Sequence, residues 1–240
     1  MKLKKFFVAV VALLCAVSVY AQTSQRIAVP TSVEKWITST FAKGKTPPFS
    51  FVYDGVNSQQ FIRKWQHSLQ KQESAEGVVE YVATYQDRAT GLKIECHIKG
   101  FQEFGAVEWL LHFINTSAQN TKQIKDVKVT DYTMSCVSAG DFNVLHSAGS
   151  TASRSDFSPQ YTTLGAEPLK MSPKNGRPSD ISAYPFFNII TPDKKGVVVG
   201  IGWTGTWFAD IALKGKQGVN LASGMKTMDL HLYPGETIRT

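Results

Sequence analysis

Between residues 79 and 113 apolar side chains recur at every second position, and that period constrains the fold more than any other feature. Val79, Tyr81, Ala83 and Tyr85 share one parity. Leu92, Ile94, Cys96 and Ile98 repeat it, and so do Val107, Trp109, Leu111 and Phe113. Successive side chains of a strand point to opposite faces, so each segment predicts a strand with one packed face. Arg88 to Gly91 is a turn, and strands joined so closely pair antiparallel. Phe49 to Tyr53 is a further strand, stopped by the turn signal Asp54-Gly55. Ile124 to Met134 slips phase near Asp126 and Val127, which predicts a bulge. Ile27 to Ala42 predicts a short helix opened by Thr31 or Ser32, and Val56 to Gln72 fits either a second short helix or a strand and loop. The expected architecture is all-β: two large stacked antiparallel sheets with one or two short helices.

The first 21 residues stand apart from that pattern. Lys2, Lys4 and Lys5 precede an apolar run from Phe6 to Val19, and Val19-Tyr20-Ala21 is a small-residue cleavage signal. This predicts a cleaved signal peptide over residues 1–21, an exported product, and a β domain over 22–240. The apolar run is too short for a membrane span, and no later segment is long enough. Cleavage changes the charge: the full chain carries 26 − 19 = +7, and loss of three lysines leaves 23 − 19 = +4. The remaining lysines are scattered without interleaved aromatics, which argues against a nucleic-acid partner. Cys96 and Cys136 remain after cleavage; either they pair in an oxidising compartment, or Cys96 is a buried free thiol on its apolar strand face. Neither has a histidine at zinc-site spacing, so no metal or cofactor is expected.

The densest stretch runs from Gly176 to Leu213. Val197, Val199, Ile201 and Trp203 share one face, and Trp207, Ala209, Ile211 and Leu213 share another, with Thr204-Gly205-Thr206 between them. That spacing predicts a β-hairpin whose glycine takes a positive φ. Trp203 and Trp207 then flank the turn, either as a sugar-stacking wall or as core aromatics capping a sandwich. Upstream, Ser138 to Thr163 is a long polar loop with His146 and Asp156, a segment type that more often carries function than ornament. His146, Ser150 and Asp156 have the residue types of a nucleophilic triad but no nucleophile-elbow sequence around the serine. No pair of carboxylates is flanked so as to announce an acid and a nucleophile.

Several blocks resemble the N-terminal domain of melibiase-type α-galactosidases, glycoside hydrolase family thirty-six. They are Pro48 to Gly55, Val107-Glu108-Trp109, Asp156 to Pro159, Gly176 to Ser179, Pro185 to Asn188, Gly200 to Trp207 and Tyr233 to Thr240. Gly-Trp-Thr-Gly-x-Trp and Tyr-Pro-Gly-Glu-x-Ile-Arg-Thr are the most specific of these. The resemblance implies a galactose-mutarotase-like β-supersandwich. It also implies a (β/α)₈ barrel that carries both catalytic aspartates. These 240 residues have no room for eight βα units, so the expectation is a truncated or split member, inactive alone, with no catalytic residue of its own; the alternatives are a free-standing carbohydrate-binding sandwich or a scaffold domain whose pocket has decayed. The implied partners are a barrel, in cis or from a neighbouring reading frame, α-galactoside oligosaccharides, and a second copy of the chain. The implied sugar-facing positions are His146, Asp156, Arg177, Ser179 and Asp180 on two loops, with Trp203 and Trp207 as stacking surfaces. Pro178 departs from the family pattern in the second loop.

Overall fold

The computed structural model describes residues 33–149 and 151–240. The expected signal peptide, the helix-opening Thr31 or Ser32, and Ser150 lie outside these residues. The chain begins with helix α1 (Val33–Thr40), followed by β1 (Ser50–Tyr53) and β2 (Val56–Asn57). Asp54 and Gly55 join these strands with positive φ at both positions, the conformation of a tight two-residue hairpin. Two short 3₁₀ turns (Ser58–Gln60 and Ile62–Lys64) and β3 (Gln66–Gln72) occupy the segment that fitted either helix or strand. Then come β4 (Val78–Gln86), β5 (Leu92–Phe101) and β6 (Ala106–Asn115). Next are β7 (Ile124–Lys128), β8 (Thr130–Ser135), β9 (Asn143–His146), β10 (Gln160–Thr163) and β11 (Leu169–Met171). The last six are β12 (Phe186–Ile190), β13 (Gly196–Gly200), β14 (Trp207–Leu213), β15 (Gly218–Met225), β16 (Asp229–Leu230) and β17 (Thr237–Arg239).

All strand pairings are antiparallel, and the two expected sheets are divided into four. A five-stranded sheet, β17-β6-β5-β4-β3, faces the sheet β16-β7-β1-β2 across the first core. Its inner face carries the period-two residues: Tyr85, Leu92, Ile94, Cys96, Ile98, Leu111 and Phe113 are all almost fully buried. Phe51 meets Phe113 edge to face at 5.2 Å between ring centroids, linking the two sheets. Helix α1 closes one end of this core. A methyl group on Gly100 would come within 2.4 Å of Val33 Cγ1, so glycine at that position lets the helix sit down on β5.

The other two sheets, β10-β9-β12-β13 and β11-β14-β15-β8, enclose a second core around Phe142, Phe187, Ile189, Trp207 and Ile211. The chain passes from the first pair to the second between β7 and β8. Asp126 has a positive φ, and the β1–β7 register shifts there, so the predicted bulge is present. At the junction Asp131 accepts from Ser50 Oγ (2.6 Å), Gln59 Nε2 (3.0 Å) and Asn220 Nδ2 (3.2 Å), which ties one sheet of each pair to the other.

The predicted hairpin from Val197 to Leu213 does not form. β13 pairs with β12, whereas β14 pairs with β11 and β15, so residues 201–206 carry the chain from one sheet to the one facing it. Gly205 is not among the residues of positive φ. An apolar alternation specifies which face of a strand is buried but not which strand lies beside it.

Candidate functional site

The segments proposed to face sugar meet at the rim between the two sheets of the second core, and Asp180 is their hub. It is 4% exposed, and its carboxylate accepts from the backbone N–H groups of Lys174 (2.6 Å), Asn175 (3.0 Å) and Ser182 (2.8 Å). Burial opposes its ionisation, but those donors outweigh burial and hold its carboxyl below the ordinary aspartate value. Its carbonyl accepts from Gly149 N–H at 2.7 Å, which joins the two loops. A side chain on Gly149 would collide with Ser179 Oγ, so Ser179 is packed at this join.

Asp156 organises its own loop in the same way. It accepts from Thr151 Oγ1 (2.6 Å) and from the backbone N–H groups of Thr151 (2.8 Å) and Ser153 (3.0 Å). The Thr151 hydroxyl is the first cause of its lowered pKa, with the backbone donors behind it. His146 ends β9 beside Thr162 Oγ1 at 2.9 Å, and partial burial holds its imidazole below its ordinary value. Arg177 is exposed and makes no hydrogen bond or ion pair among the described residues. Both aspartates therefore already spend their carboxylates on loop backbone, and Arg177 is the free cation of the group.

The two tryptophans part company. Trp207 is fully buried, and its Nε1 donates to the Pro178 carbonyl oxygen at 2.7 Å. It has no face open to a ligand, so of its two alternatives the core aromatic is the one the fold adopts, and it anchors the 174–180 loop to β14. Trp203 is half-buried and lines a hollow of about 480 Å³ with Pro173, Lys174, Thr206 and Lys226. An adjoining hollow of about 620 Å³ shares Lys174 and Lys226 and adds Lys128, Lys170, Asp126 and Asp210. Its lining comes from β1, β2, β7, β11, β14, β15 and the loops beside them, so no local sequence pattern announced it. Among the described residues the five carboxyls that the fold perturbs, Glu34, Glu95, Asp156, Asp180 and Asp193, are all held below their ordinary values by the hydrogen bonds and cations around them. A general acid needs the opposite shift.

No helix among the described residues is long and apolar enough to cross a membrane. Cys96 and Cys136 are both free thiols, one in each core region, which decides between the two alternatives left open for them.

The fold defines a class: antiparallel β-sandwich domains built in two facing pairs of sheets. Among solved structures it is similar to the GH36 α-galactosidase AgaA of Geobacillus stearothermophilus, with a TM-score of 0.59 and 12% identity over 81% of this chain and 29% of that one. A variant of that enzyme in complex with stachyose gives a TM-score of 0.61 at 12% identity over the same shares. The α-galactosidase of Lactobacillus brevis gives 0.58 at 13% identity over 81% of this chain and 28% of that one. No protein-family model and no curated protein sequence matches the chain. The chain thus has the fold of one domain of the GH36 α-galactosidases and spans less than a third of their length.

Proposed function

We propose that this chain is the non-catalytic β domain of an exported, α-galactosidase-like glycoside hydrolase. It packs on a catalytic barrel, in cis or from another chain, and lends the His146 to Asp156 and Arg177 to Asp180 segments to the rim of a galactose pocket. The observation that carries this reading is the outer face of the sheet β10-β9-β12-β13. Val144, Phe187 and Ile189 point into the core, so Leu145, Tyr161, Phe186 and Val198 project the other way. Tyr161, Phe186 and Val198 are 69%, 53% and 75% exposed. Phe157 and Tyr184 extend the patch: Phe157 meets Tyr184 at 5.0 Å, and Tyr184 meets Phe186 at 5.4 Å between ring centroids. Phe157 also holds a positive φ of 62°, a costly backbone for a bulky residue, on the loop that Asp156 organises. Asn188 lies on the same face between Leu145 and Val198, and a cluster of exposed apolar side chains around it marks an interaction surface.

The reading is tested on the isolated chain with a hydrophobic dye and light scattering. The chain is expected to bind the dye and to self-associate, and the double change Phe186→Ser with Val198→Thr is expected to reduce both. A monodisperse monomer that leaves the dye dark contradicts the reading.

A further inference from the structure

The two adjoining hollows differ from the apolar face in chemistry. Lys128, Lys170, Lys174 and Lys226 line them, and none of the four forms an ion pair among the described residues. Asp126 and Asp210 are the acidic residues of the same lining, so the local balance is 4 − 2 = +2. The fold brings these lysines together from β7, β11, the loop after β11 and the position just past β15. Asp210 stands opposite Lys170 in the β11–β14 register, and the cations that remain in excess would be neutralised by an anionic ligand.

Trp203 supplies the other half of the site. Trp36, Trp109 and Trp207 each donate their indole N–H to a group of the protein: Tyr132 Oη, the Val129 carbonyl and the Pro178 carbonyl. Trp203 Nε1, like that of Trp65, makes no such bond among the described residues. Gly205 is the reason its edge stays open: a Cβ at that position would lie 2.8 Å from Nε1 and cover it. Since Gly205 has no positive φ, room beside the indole, rather than backbone freedom, is what glycine provides here. An indole with an uncovered donor edge at a hollow of this size suits a ring that stacks and accepts a hydrogen bond.

We infer that this cationic cleft, with Trp203 at one end, binds an anionic saccharide, a sugar bearing carboxylate or sulfate groups. The lysines take the anionic groups and the indole takes the ring. Asp126 and Asp210 accept from sugar hydroxyls, a function that a bare inorganic anion would not use and that would repel it. The cleft touches the Asp180 loop through Lys174 but shares no residue with the apolar outer face of β10-β9-β12-β13, so the two readings can fail or hold separately.

The test is calorimetric and fluorescence titration of the purified chain with trigalacturonate, neutral galactotriose, inorganic sulfate and a short single-stranded DNA. Trigalacturonate is expected to bind at least about tenfold more tightly than the other three and to weaken with added salt. Lys174→Ala with Lys226→Ala is expected to cost about tenfold, and the fluorescence change seen with the parent is expected to be absent from a Trp203→Phe variant. Gly205→Val is expected to weaken binding about as much by covering the indole edge, and thermal melts confirm that each variant is folded. The inference is overturned by no binding of trigalacturonate, by equal affinity for sulfate, galactotriose or DNA, or by folded lysine or Gly205 variants that bind like the parent.

Discussion

Trp207 donates its indole N–H to the carbonyl of Pro178 at 2.7 Å, whereas Trp203, four residues earlier, keeps its indole N–H for solvent. One of two similar side chains in one motif is therefore a structural rivet and the other lines a hollow. Trp207→Phe is expected to cost about 1–3 kcal/mol, because it leaves the Pro178 carbonyl short of its donor. Trp207→Ala adds a cavity in the second core and is expected to cost about 3–5 kcal/mol. Denaturant unfolding measures both. The Phe change at Trp203 orphans no acceptor and is expected to cost less; equal losses at the two positions would contradict the assignment.

Asp180 carries a pH dependence whose sign follows from its lowered folded-state pKa. The carboxylate stabilises the fold above the unfolded aspartate value of about 3.9, and that contribution is lost as pH falls below it toward the folded value. Asp180→Asn is expected to cost about 1–3 kcal/mol at pH 6 by weakening three backbone hydrogen bonds. The gap between the parent and this variant is expected to narrow below about pH 4. Urea melts at a series of pH values check it, and a gap that widens on acidification would reverse the sign.

The thiols give a third prediction. Cys96 is completely buried, and burial pushes its pKa well up. Cys136 is half-buried, donates its Sγ–H to the Ser138 carbonyl at 3.0 Å, and is also pushed up, chiefly by burial. In a chain beginning at Gln22, a thiol reagent is expected to label Cys136 slowly in the native state and Cys96 only on unfolding. Mass spectrometry of the labelled native chain tests this; a Cys96–Cys136 disulfide, or prompt labelling of Cys96, would contradict it.

What the sequence made legible depended on the range of the interaction. The strands β4, β5 and β6, the turn at Asp54-Gly55, the bulge at Asp126 and the helix near Val33 follow from patterns within a few residues. The fate of Val197 to Leu213 does not, because β13 and β14 have the same apolar period whether they pair with each other or with β12 and β15. Spacing likewise could not separate Trp203 from Trp207; what separates them is the Pro178 carbonyl, brought in from a distant loop. Asp156 and Asp180 were visible as polar loop residues, but their roles as acceptors of backbone N–H groups arise only when the loops close. The lysine cleft escaped notice for the same reason: its members are scattered along the chain and converge through sheet pairing.

The central claim is that these residues form a supporting domain and that bond cleavage belongs to a barrel. The most direct measurement is release of nitrophenol from p-nitrophenyl α-galactoside by the purified chain alone. No turnover above buffer is expected; sustained turnover that follows the protein through repeated purification would contradict the account.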